Sequence, residues 1–169
     1  MLIVTKRHLV SALATFALLT IALAITPIAS AQSEQSANGL TGAWWVTVTQ
    51  VNCATRIPLP IQPFSSMLLF SRGGTLTEVT SNPGFAVGQR STGFGTWALA
   101  SDGTYTASDV AFILFSSAPF QRGTQKLSHV ISLNNDGSAF TDAAVLQFYD
   151  VAGITPYISG CASATGTRL

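Results

Sequence analysis

Three segments of the chain share one rhythm of apolar and polar positions. LLFSRGGTLTEV (68–79), WALASDGTYTAS (97–108) and ISLNNDGSAFTD (131–142) each carry an apolar run, a polar step and a Gly-Gly or Asp-Gly pair. A hydroxyl residue and a second alternating run then follow. Such pairs supply the positive φ that a tight chain reversal needs, and the flanking Thr, Tyr, Val and Phe suit a pleated, half-buried surface. The pattern predicts three β-hairpins. The intervening stretches RIPLPIQPF (56–64), SNPGFAVGQRSTG (81–93) and SSAPFQRG (116–123) are longer and rich in Pro and Gly, which argues against central strand. Eight strands are expected near 43–52, 65–71, 75–80, 92–100, 104–115, 124–133, 138–149 and 155–164. No stretch beyond the N-terminal segment holds helical periodicity over ten or more residues.

Alternation also sorts faces. Trp44, Val46 and Val48 share one face of the first strand, and Trp45, Thr47 and Thr49 the other. Leu127, His129, Ile131 and Leu133 line one face of the sixth; Phe140, Ala144, Leu146 and Phe148 line one face of the seventh. VAFILF (110–115) is apolar on both faces, which fits either an oligomer contact or a strand beneath a loop. Eight sequential antiparallel strands can close into a ring, and closure removes both exposed edges. The fold class is therefore all-β, an eight-stranded antiparallel up-and-down barrel, with a two-sheet sandwich as the alternative.

The first residues follow a different pattern. Lys6, Arg7 and His8 precede an apolar run, Leu9–Ile25, and Ala29-Ser30-Ala31 stands before Gln32. That is the make-up of a secretory signal peptide cleaved after Ala31; a retained anchor helix is the alternative, since the run is near the lower length that spans a bilayer. The expected organisation is a signal peptide at 1–31, a polar, disordered lead-in at 32–40 and one barrel domain at 41–169. The product is secreted or periplasmic. Its only cysteines, Cys53 and Cys161, are then expected to form a disulfide tying the first strand to the last.

Without Lys6 and Arg7, six basic residues stand against seven acidic ones. No basic cluster suggests nucleic acid, and no later segment reads as membrane-spanning. Two thiols without suitably spaced histidines make no metal site, and no cofactor fingerprint is present.

GLTGAWWV, with Gly42 and Trp44 opening the first strand, resembles the G-x-W motif of lipocalins and other calycin barrels. The resemblance takes in strand count and meander order over most of the chain after the N-terminal segment; it does not extend to a lipocalin C-terminal helix or a T-D-Y motif. It implies an eight-stranded barrel with a cavity for a small, often apolar, ligand. It also implies that Arg168 packs over Trp44, as the lipocalin arginine packs over the motif tryptophan.

Following the chain up and down puts the three tight turns at one end and loops 53–64, 81–93, 116–123 and 150–155 at the other. The loop-rich end carries Arg56, Arg90 and Arg122, together with Phe64, Phe85 and Phe120, each close after a proline. Arginine binds carboxylates and phosphates bidentately and stacks on aromatic rings, so these six form the candidate ligand site for an apolar or amphiphilic, anionic molecule. The plain alternative is loop packing and surface charge. For catalysis the candidates are His129, Asp109 and Asp142, should the aspartates point inward; Glu78 is expected to face solvent. Three functions result, in order: a small-ligand-binding barrel, a cell-envelope structural or interaction module, and a cofactor-free barrel isomerase or cyclase.

Overall fold

The computed structural model describes residues 39–169; the expected signal peptide at 1–31 and residues 32–38 of the expected lead-in lie outside the described residues. Within them the chain forms eight strands: β1 Gly42–Val51, β2 Phe64–Ser71, β3 Thr75–Thr80, β4 Gly93–Leu99, β5 Tyr105–Ile113, β6 Gly123–Leu133, β7 Ala139–Asp150 and β8 Pro156–Arg168. Each pairs antiparallel with the next, and β8 pairs back onto β1 to close a barrel. The closure, not a sandwich, follows from the β1–β8 ladder, which runs from Trp44↔Arg168 to Val51↔Cys161. β8 extends four residues beyond the expected end at 164, because Thr165–Arg168 complete that ladder.

The hairpin chemistry is local. Gly73 and Gly74 take φ of 89° and 86°, and Gly103 and Gly137 take 85° and 72°. In the two Asp-Gly turns the aspartate accepts from both the backbone N–H and the hydroxyl of the residue two positions on. Thr104 does this to Asp102 at 2.9 and 2.7 Å, and Ser138 to Asp136 at 2.9 and 2.6 Å. In these two turns the hydroxyl that follows the glycine in the sequence therefore locks the turn.

The tight-turn end of the barrel is packed solid. Trp44, Phe70, Leu76, Tyr105, Ile131 and Phe140 fill it, with the Trp44 and Phe140 rings 4.9 Å apart. Leu40, within the expected lead-in, is fully buried in the same cluster, and its carbonyl accepts the Trp44 indole N–H at 2.9 Å. Arg168 seals this end: its guanidinium carbon lies 4.3 Å from the Trp44 ring centre. Its N–H groups donate to the carbonyls of Gly39, Thr41 and Gly137.

Cys53 and Cys161 form a disulfide, with Cα atoms 5.1 Å apart, just past the end of β1 at the β1–β8 seam. It closes a separation of 108 residues. Replacing both cysteines by alanine is expected to lower unfolding free energy by about 2–4 kcal/mol, mainly by freeing the denatured chain. Urea titration under non-reducing conditions checks this, and a loss under about 1 kcal/mol would contradict it.

Candidate functional site

Strand alternation carries ionisable groups into the barrel. On β5 every second residue is buried: Tyr105, Ala107, Asp109, Ala111 and Ile113. The same parity puts Glu78 two residues after Leu76 on β3, His129 two before Ile131 on β6, and Asp142 two after Phe140 on β7. Both aspartates named as catalytic candidates thus point inward beside His129, and Glu78 is 4% exposed rather than solvent-facing. The strand period, not the polarity of the side chain, decides this, because turning Glu78 out would turn Leu76 out with it.

His129 sits between the two aspartates. Its Nδ1 donates to Asp142 Oδ2 at 2.7 Å and its Nε2 to Asp109 Oδ1 at 3.2 Å. Burial alone would lower its pKa; the hydrogen bonds to Asp109 and Asp142, and the charges they carry, outweigh burial and raise it to about 10. At neutral pH the ring is an imidazolium with both N–H groups engaged, so it has no lone pair to offer as a base.

The fifth member comes from a loop. Arg90, before β4, folds its side chain into the barrel, where it is 4% exposed. Its guanidinium pairs with Glu78 at 2.5 Å, and its Nε donates to Gln125 Oε1 at 2.5 Å. Glu78 Oε1 also accepts from Ser66. Burial holds the Glu78 carboxyl above the usual carboxylate range and the Asp109 charge pushes the same way, against the pull of Arg90. Gly93 of β4 makes the space. Its backbone is not in the left-handed region, yet a Cβ there would lie 2.5 Å from Asp109 Oδ2 and 3.1 Å from Glu78 Oε2.

Above this charged layer, towards the loop-rich end, lies a cavity of about 60 Å³. Val46, Val48, Leu68 and Leu146 form apolar wall; Glu78, Arg90, His129 and Asp142 form polar wall. Of the aromatic roof at this end Phe85 borders the cavity and the other rings stack behind it: Phe85 and Phe120 lie 4.6 Å apart, and Phe120 lies 4.6 Å from Phe148. Gln89, fully buried, fixes that roof. Its side chain donates to the carbonyls of Phe115 and Ser117 and accepts from the N–H of Ala86, so two loops are tied together.

The six residues proposed for ligand binding therefore part company. Phe64, Phe85 and Arg90 border the cavity, and Phe120 packs on Phe85. Arg56 lies in an exposed loop and donates to the Ala162 carbonyl. Arg122 is exposed beside an outer hollow shared with Phe112, Leu114 and Asp150. The three arginines do not converge. Sequence reasoning missed Gln89 and the inward turn of Glu78; inward parity on four strands was the available signal for the second. Among the described residues no three His, Cys, Asp or Glu side chains are arranged to hold a metal ion.

Two expectations follow. From pH 6.5 to about 10 the folded chain keeps the His129 proton that the unfolded chain releases, so stability is full below 6.5 and is lost as pH rises through 10. The raised Glu78 pKa acts in the same direction from its lower starting point. The unfolding free energy from urea titrations should fall by up to about 1.4 kcal/mol per pH unit in that window; a flat or rising profile would contradict the buried imidazolium. Gly93→Ala should cost about 1–3 kcal/mol by crowding the carboxyls, read by thermal or urea unfolding, although alanine normally favours strand over glycine. No family model matches the chain, and no curated protein is significantly similar to it.

Proposed function

We propose that this chain is an exported, calycin-like barrel that binds a small, mainly apolar molecule carrying one polar group. The observation that carries the reading is the barrel cavity, lined by aliphatic side chains interspersed with a few hydrogen-bonding ones, with Phe85 over it. Ligand sites have this composition: apolar lining for affinity and a few fixed polar groups for orientation. The Arg168–Trp44 stack and the closed eight-strand meander support the calycin likeness. The disulfide fits an oxidising compartment, secreted or periplasmic.

Size and charge narrow the ligand. A cavity of about 60 Å³ has room for roughly four waters, far below the 300–1,000 Å³ typical of drug-sized ligands. A long-chain amphiphile does not fit without opening the roof. Among the described residues the two cations at the cavity are already engaged, Arg90 by Glu78 and Gln125, and His129 by two aspartates, so an anionic headgroup gains little there. The engaged imidazolium also weighs for binding over an isomerase or cyclase that would need His129 to move a proton.

A second reading, an envelope interaction module, rests on the outer surface. Trp45, Met67 and Val79 stand side by side across β1, β2 and β3, each 45–46% exposed. Phe94 and Val110 pair across β4 and β5, with exposed Phe112 beyond. Native mass spectrometry of the exported protein, purified from its own host without refolding, tests both readings. A small added mass lost on denaturation is the expected result. A bare chain at twice the monomer mass would favour the interaction module, and a bare monomer would remove the support for a resident ligand.

A further inference from the structure

Resting on the ligand-binding reading, we infer that the molecule this cavity takes is a small organic amine, bound as an ammonium against Asp142 with its apolar body against the aliphatic side chains of the lining. The layer contains three carboxyl groups, those of Glu78, Asp109 and Asp142, against two cations, Arg90 and His129. Among the described residues both buried cations of the layer are already paired. His129 gives both N–H groups to aspartates, and Arg90 gives its own to Glu78, Gln125 and the Ser91 carbonyl.

An acceptor remains. Asp142 borders the cavity with its side chain 3% exposed; Oδ2 is taken by His129, and Oδ1 has no hydrogen-bond partner, whereas Glu78 Oε2 and Asp109 Oδ2, also without hydrogen bonds, lie against the Arg90 guanidinium, and Asp109 does not border the cavity. A buried carboxylate oxygen left without a donor is costly, and a charge-assisted N⁺–H···O⁻ bond is among the strongest ways to satisfy it. One ammonium also brings the layer to three cations against three carboxyls, which a neutral alcohol cannot do and a carboxylate would worsen. Val46, Val48, Leu68 and Leu146 suit a branched alkyl body of four or so carbons, given the cavity size.

Isobutylamine, isobutanol and isobutyrate share that body and differ in the polar end. Each is titrated into the purified, oxidised protein at neutral pH and low salt, following amide and methyl NMR shifts of residues around the cavity. The amine is expected to bind at least about tenfold more tightly than the alcohol, with isobutyrate weakest. An alcohol equal to the amine, or isobutyrate best, overturns the amine assignment and leaves the barrel reading standing. Binding by none of the three removes the cavity reading itself. Asp142→Asn should bring the amine-to-alcohol preference down to within about threefold, and an unchanged preference overturns the role of Asp142. Should that variant fail to fold, the ranking on the unaltered protein decides.

Discussion

A closed ring of strands has one interior, and every second residue of every strand must go into it. That two-residue period governs the rest of this molecule. It gathers Trp44, Phe70, Ile131 and Phe140 into a packed floor, and by the same rule it gathers Glu78, Asp109, His129 and Asp142 into one layer above that floor. Ions in a low-dielectric interior cost several kcal/mol each unless paired. The layer meets that cost by alternating sign: carboxyl, guanidinium, carboxyl, imidazolium, carboxyl. Arg90, borrowed from a loop, is what makes the alternation work, since without it Glu78 and Asp109 would face each other with His129 alone between three acids.

Space follows from the same constraint. Eight strands leave an interior only just wide enough for side chains, so a cavity exists where side chains are small or drawn aside. Ala144, Ala162 and Ala164 line one side of it, and the charged side chains, held against one another, vacate the middle. Polar pairing and ligand space are thus one arrangement. A barrel with leucines in place of the five ionisable groups would have packed itself shut.

The elements that rest on neighbours in sequence were legible before any coordinates. Turn chemistry at Gly73-Gly74, Asp102-Gly103 and Asp136-Gly137 located the hairpins, and strand count then forced the loop-rich end and the meeting of Cys53 with Cys161. What depends on long-range placement was not. Arg90 looks like a rim residue because nothing local says that a loop will fold its side chain inward past Gly93. Glu78 looks like a hairpin charge until the parity of Leu76 is applied to it. Leu40 lies in a segment polar enough to pass for a tail, and it is the Arg168 contact with Gly39 and Thr41 that draws it into the floor.

The hoop of hydrogen bonds is uneven around its circumference. β6 and β7 are joined by a ladder running from Gly123↔Asp150 to Leu133↔Phe140, whereas β3 and β4 meet only from Thr75↔Thr96 to Glu78↔Gly93. The disulfide stiffens the β1–β8 closure and leaves the narrow β3–β4 join to its few backbone bonds. That join ends at Glu78 and Gly93, beside Arg90, whose side chain reaches inside. The side of the wall with the least backbone to part is therefore also the side where an ion pair spans the gap, so Arg90 and Glu78 serve as a clasp on the barrel's weakest stave.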